Sequence, residues 1–183
     1  MARIIILNGI SSAGKSTLAK AIQVASPDDW IHVSLDQFIA MLPVGREMAP
    51  EWFTVSRINQ SRVSITNGPR GARLMQSMRD FVQIAADRDI DIVVDDVATI
   101  AEIGDYREKL ADHCVLVVKV DVPLETAERR ERDRGDRMIG LARDQQGRIH
   151  QGIVYDLVVS NEDHLADACA QAILARIAEP AAR

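Results

Sequence analysis

Ile4 to Leu7 is an unbroken aliphatic run that stops at Asn8-Gly9. A run that is apolar at every position, rather than at alternate ones, predicts a parallel strand covered on both faces. Similar short runs recur at Ile31 to Val33, Ile90 to Val94, Val115 to Val120 and Leu157 to Val159. Helical patterns lie between them. One is expected from Lys15 to about Ala25, closed by Ser26-Pro27-Asp28-Asp29. Ser34-Leu35-Asp36-Gln37 and Thr99-Ile100-Ala101-Glu102 have the form of capping boxes and should open two more. From Pro69 onward Leu74, Met78, Phe81, Val82 and Ala85 fall on one stripe. Pro123 suits the first turn of a densely charged helix that runs toward Gly135. A closing helix places Leu165, Cys169, Ala172, Ile173 and Ile177 at core spacing. The pattern fails between about residues 43 and 67, where Pro43, Gly45, Pro50, Trp52 and Phe53 stand in weak alternation. That stretch reads as an insertion over one face, with room for a small hairpin.

Short aliphatic strands alternating with helices predict an α/β fold with a parallel sheet, and 183 residues suit one domain. Such sheets bind ligands at the carboxyl ends of their strands. Four ends therefore matter: after Leu7, Val33, Val94 and Val120. A hydrophobic content of 47% allows a sizeable core, and with only 4% aromatic residues aliphatic side chains must fill it. A net charge of -5 argues against a general nucleic-acid binder, because phosphate neutralisation needs surplus Lys and Arg. Cys114 and Cys169 form no CxxC pair and the four histidines are scattered, which argues against zinc and for buried thiols in a reducing compartment. The apolar run ending at Leu7 is too short for a signal peptide or a membrane span. A cytoplasmic protein without membrane or nucleic-acid partners is expected; self-association as a homo-oligomer stays open.

Gly9-Ile10-Ser11-Ser12-Ala13-Gly14-Lys15-Ser16 matches G-x-x-x-x-G-K-[ST] in full, between a predicted strand and a predicted helix. The chemistry explains each part. A polyphosphate needs many donors near its oxygens, and small residues let the backbone come that close. Gly9 and Gly14 free the turn, and the amides from Ser11, Ser12 and Ala13 through Ser16 and Thr17 sit at a helix N-terminus, where the dipole favours anions. Lys15 reaches the β- and γ-phosphates, and the Ser16 hydroxyl suits Mg²⁺. ATP with Mg²⁺ is the expected ligand.

Asp95 and Asp96 end the Ile92-Val93-Val94 run, where a carboxylate faces the phosphate loop and can serve the metal. Either could do so. Asp36 follows the second strand at the ligand edge. It could take a proton from an acceptor hydroxyl, or simply stabilise the helix start within its capping box. Arg129, Arg130, Arg132, Arg134 and Arg137 crowd around Gly135-Asp136. Arginine donors that close over a transferred phosphoryl group fit that pattern, as does a solvated helix laced by Glu125–Arg129 and Glu128–Arg132 pairs. Arg129 and Arg132 read as surface, Arg134 and Arg137 as part of a lid spanning about 129–140, and Arg130 as either, with a nucleotide contact in view. Phe38, Met41, Trp52 and Phe53 could floor a partly apolar acceptor pocket.

Leu7-Asn8-Gly9-Ile10-Ser11-Ser12-Ala13-Gly14-Lys15-Ser16 resembles the phosphate loop of the chloramphenicol phosphotransferase family. So do Ser34-Leu35-Asp36, Val94-Asp95-Asp96-Val97, Arg134-Gly135-Asp136-Arg137 with Gly140 beyond, and Gly152-Ile153-Val154-Tyr155-Asp156, in the family's order. The resemblance implies a P-loop kinase domain of α/β/α layers with a five-stranded parallel sheet. It also implies transfer of phosphate from ATP, with Mg²⁺, to a hydroxyl of a small molecule. It implies that Asp36 is the base and that Arg134 and Arg137 face phosphate. The match lapses between about residues 43 and 70, where substrate contacts are expected. An antibiotic-modifying role is thus one reading among several; a nucleoside, nucleotide or other metabolite kinase is another. A nucleotide-dependent binding module is a third reading, though no N/T-K-x-D guanine motif supports a GTPase switch.

Overall fold

The computed structural model describes residues 1–135, 138–162 and 165–179. Five strands, β1 (Arg3–Asn8), β2 (Trp30–Ser34), β5 (Asp91–Asp96), β6 (Cys114–Asp121) and β7 (Leu157–Ser160), form one parallel sheet in the order β2-β5-β1-β6-β7. β3 (Phe53–Asn59) and β4 (Arg62–Asn67) make a separate antiparallel hairpin. The helices are α1 (Lys15–Ala25), α2 (Leu35–Ala40), α3 (Pro69–Ala86), α4 (Ile100–Lys109), α5 (Leu124–Arg134), α6 (Leu141–Gln146) and α7 (Ala166–Ala178).

The period-2 geometry of a strand splits the Ile4–Leu7 run between two cores. Ile5 and Leu7 pack with Leu18, Ile22 and Ile173 beneath α1 and α7. Ile4 and Ile6 pack with Met78, Val82, Ile103 and Tyr106 beneath α3 and α4. All four β1 side chains are fully buried, each stabilising the fold by roughly 1.5–3 kcal/mol relative to exposure. A third, smaller cluster of Leu42, Phe53 and Met75 roots the hairpin against α2 and α3. Gly71 permits this: a Cβ there would stand 2.0 Å from the Trp52 carbonyl oxygen.

Several expectations need correction. Phe81 does not join the α3 stripe inward; it is 44% exposed, while Met75 and Arg79 are buried on that face. Leu165 precedes α7 and is exposed, and the helix turns Ala170 inward rather than Ala172, because Cys169, Ala170, Ile173 and Ile177 share its buried side. Cys114 is only half buried. The Glu128 carboxylate is held by Arg143 Nε at 2.7 Å, from α6, rather than by Arg132. α6 itself has no expectation behind it. It exists because Glu131, fully buried on α5, accepts hydrogen bonds from Gly140 N at 2.9 Å and Ala142 N at 2.7 Å, capping a helix too short to stand alone.

Candidate active site

The strand ends of β1, β2 and β5 open into one cleft of about 1080 Å³. Ser11, Ser12, Gly14, Lys15, Ser16, Thr17, Asp36, Phe53, Asp95, Asp96, Arg130 and Arg134 all line it. These residues are far apart in sequence, and the parallel register joins them: Asn8 lies beside Asp96, and Ser34 beside Asp95.

The loop after β1 holds its shape through local chemistry. Gly9 passes so close to β6 that a Cβ would stand 2.7 Å from the Val120 carbonyl oxygen. Gly14 has φ +85°, a left-handed conformation that side chains disfavour, and a Cβ would meet Asn161 Nδ2 at 2.4 Å. Ala13 N donates to Ile10 O at 3.2 Å, tightening the turn. Lys15 is buried and donates to Gly9 O at 2.9 Å and Ile10 O at 3.1 Å. Its ammonium also lies 3.7 Å from Asp95 Oδ1. The Ser12 hydroxyl is buried without a hydrogen-bond partner, an orphaned polar atom within a loop whose ligand would be an anion.

Asp95 and Asp96 diverge because adjacent strand positions face opposite sides. Asp95 Oδ2 accepts from Ser16 Oγ at 2.6 Å, so a hydroxyl and a carboxylate stand together at the foot of α1. Such hard oxygen donors fit Mg²⁺, which is commonly bound by one or two protein oxygens plus substrate phosphates. Among the described residues no group of three or more His, Cys, Asp or Glu could hold a metal alone. Asp96 instead accepts from Val97 N at 2.7 Å and Tyr106 OH at 3.0 Å. Burial, with Glu102 nearby, pushes its carboxyl up to about 6. His32, 3.9 Å from Asp95, is shifted down mainly by burial, so the ring is largely neutral near pH 7 and this contact is no ion pair.

Asp36 stands in the first turn of α2, on the cleft. Its helix is capped by others: Ser34 Oγ accepts from Gln37 N, and Gln37 Oε1 accepts from Ser34 N at 2.9 Å. Asp36 is the acidic residue of that first turn, where its charge also suits the helix N-terminus. Arg130 reaches across the loop, donating to Asn161 O at 3.0 Å and weakly to Ser12 O at 3.4 Å. Arg134 lines the cleft at the end of α5, and Gly135 follows with φ +69°. Arg137 lies outside the described residues.

The apolar candidates separate. Phe53 is buried and forms part of the cleft wall with Leu35, Ile39, Ile65 and Met75. Phe38 and Met41 do not line that cleft; they border a shallow depression beside Phe81. Trp52 is also outside the cleft lining, with the Arg70 guanidinium 5.8 Å over its ring.

Asn161, Arg79 and Gln145 are among the cleft residues that were not anticipated. Asn161 follows β7, a fifth strand end, and donates to Ala13 O at 2.9 Å. Arg79 is buried beside Asp105 at 2.7 Å; an arginine at a core position of the α3 stripe was a readable signal. Gln145 lies on α6 and accepts from Ser11 N at 2.5 Å, and no spacing in the sequence pointed to it.

A phosphate loop at the carboxyl edge of this five-stranded parallel sheet defines the class: a nucleotide-binding P-loop phosphotransferase fold. The comparisons narrow it. The chain belongs to the family described as chloramphenicol phosphotransferase-like protein, whose model it matches over residues 2–178. It is 31% identical over 163 residues to a Mycobacterium tuberculosis protein named "Putative O-phosphotransferase", covering 84% of this chain and 72% of that one. Among solved structures it is similar to the M. tuberculosis APS kinase CysC in complex with AMPPNP and APS, with TM-score 0.66, 17% identity, and coverage of 97% and 98% of the two chains. It is also similar to the shikimate kinase of Acinetobacter baumannii in complex with shikimate, with TM-score 0.59, 16% identity, and coverage of 95% and 92%. At these identities the two structures speak for the fold. Among the described residues no helix is long and apolar enough to cross a membrane.

Proposed function

We propose that this protein transfers the γ-phosphoryl group of ATP to a hydroxyl of a small, partly apolar acceptor. The observation that carries the reading is one cleft with two chemically different ends. Lys15, Ser16 and Asp95 supply a cation, a hydroxyl and a metal-suited carboxylate at one end. Asp36 lies on the same cleft, with the apolar wall of Leu35, Ile39, Phe53, Ile65 and Met75.

In this reading Lys15 leaves its two loop carbonyls for the β- and γ-phosphates. Ser16 and Asp95 would hold Mg²⁺, which when bound neutralises charge on the phosphate oxygens. Asp36 orients the acceptor hydroxyl. As the acceptor oxygen forms its bond to the γ-phosphorus, the bond to the β–γ bridging oxygen breaks and the hydroxyl proton passes to Asp36. ADP leaves with the bridging oxygen. Arg134, with Arg137 beyond it, belongs to a lid over about 129–140 that meets charge on the moving group, and Arg130 holds the nucleotide side. The β3–β4 hairpin forms the acceptor wall: of the four apolar candidates Phe53 keeps that role, Ile65 joins it, and Phe38, Met41 and Trp52 fall outside the cleft. Chloramphenicol, other antibiotics and hydroxylated metabolites, nucleosides included, all fall within this acceptor class.

The test is phosphate transfer from labelled ATP across a panel of hydroxylated compounds, repeated with Asp36→Asn. Transfer in that variant should fall by about 10²-fold or more, the usual contribution of a positioned base. Nucleotide affinity should stay within about twofold, since in this reading Asp36 meets the acceptor hydroxyl and not the nucleotide. Residual transfer near the parent rate removes Asp36 from the chemistry. Tight nucleotide binding without transfer to any acceptor replaces the enzyme by a nucleotide-dependent binding module.

A further inference from the structure

The structure assigns Gln145 a direct part in phosphoryl transfer: its side-chain amide nitrogen donates to the γ-phosphate. This inference rests on the reading of the cleft as a triphosphate site. Gln145 is buried, yet it lines the cleft from α6. Its Oε1 accepts from Ser11 N at 2.5 Å. Because a backbone N–H can only donate, the oxygen of the Gln145 amide must be the atom facing the loop. The Nε2 group then sits about 120° around the amide carbon from that oxygen. Among the described residues Nε2 has no hydrogen-bond partner, and it is absent from the buried, unsatisfied atoms, so it opens on the cleft.

The γ end of the site is placed by Lys15. The amides at the N-terminus of α1 suit the inner phosphates, whereas the lysine reaches the β- and γ-phosphates. Its ammonium lies beside Gly9 O and Ile10 O, and Ser11 is the next residue. The Gln145 amide is thus fixed at the outer end of the cradle. It is a neutral donor, which binds an anionic oxygen without the cost of burying a charge.

Its support is built for rigidity. The neighbouring Asp144 is 2% exposed and is held by Arg62 Nε of the hairpin at 2.8 Å and by Arg148. Glu131 caps the other end of α6. A glutamine held this way keeps its donor aimed before nucleotide arrives, which lowers the reorganisation needed at transfer.

Two variants separate donation from loop support. Gln145→Glu keeps an oxygen for Ser11 N but replaces the cleft-facing NH2 by a carboxylate oxygen. Gln145→Met loses both. Affinities for ADP and for a non-hydrolysable ATP analogue are measured by calorimetry with Mg²⁺ present. For a γ-phosphate donor, Gln145→Met should lose about tenfold or more in affinity for the analogue while ADP changes by less than about threefold, with Gln145→Glu weaker still because its charge also repels the phosphates. If Gln145 only supports the loop, Gln145→Met changes ADP and analogue affinity by the same factor, or neither, and the inference is overturned. Parent protein that binds both nucleotides but phosphorylates no acceptor overturns the transferase reading, and with it a part for Gln145 in transfer, while the γ-phosphate contact stands on the affinities alone. Parent protein that binds neither overturns both.

Discussion

Truncating Glu131 to alanine should destabilise this protein far more than the loss of an ordinary acidic residue from a charged helix. The sequence around it, Glu128-Arg129-Arg130-Glu131-Arg132, looks like solvated helix surface. In the structure Glu131 has no exposed surface, and its two carboxylate oxygens take the amides of Gly140 and Ala142. Hydrogen bonds to a charged partner contribute about 1.5–3 kcal/mol each, and here both are lost together, giving about 3–6 kcal/mol before any cavity term. That is a large share of the roughly 5–15 kcal/mol that holds a typical domain folded. For a chain of this size it corresponds to a melting point about 6–24 °C lower. Urea unfolding followed by circular dichroism, with thermal melts alongside, measures it. Glu131→Gln should fall between parent and alanine variant, because one amide keeps an acceptor while the other faces an NH2 group. An alanine variant that melts within about 3 °C of the parent would refute the reasoning, since two buried amides would then be losing their acceptors at no cost.

Two further outcomes follow from the same geometry. His150 meets Tyr155 OH at 2.6 Å, and its pKa is lowered to about 4, first by burial and then by Lys119. A histidine with a depressed folded pKa contributes stability that is full above its unfolded value near 6.5 and is lost as pH falls through about 4. Melting curves at pH 7 and pH 5 should therefore show a smaller acid-induced drop for His150→Gln than for the parent; equal drops refute the assignment. Gly140 has φ +96°, and a Cβ there would stand 2.7 Å from Ser61 O, so Gly140→Ala should push the hairpin off α6. Proteolysis should then cut the 53–67 hairpin sooner, and unchanged cleavage would show that the contact does not hold it.

The phosphate loop was legible because it is local. Eight consecutive residues carry the turn, the amides, the ammonium and the hydroxyl, so spacing alone announces them. The capping boxes at Ser34 and Thr99 were legible for the same reason: both bonds form at Ser34, and at Thr99 the Glu102 carboxylate takes the Thr99 amide and hydroxyl. Continuous aliphatic runs fixed the five parallel strands, since only a strand covered on both faces tolerates them. What the sequence could not say was which surfaces meet. Asp95 turns to Ser16 and Asp96 to Tyr106 because adjacent positions on a strand face opposite sides, and only the sheet's neighbours decide what each side holds. Phe38 and Met41 looked like pocket residues, yet they border a separate depression beside Phe81. Gln145 carried no signal, because its meaning depends on Glu131 capping α6 and on Ser11 offering an amide 134 residues away. Local chemistry writes itself into spacing; a contact between distant segments arises only when burial of the whole core sets the elements side by side.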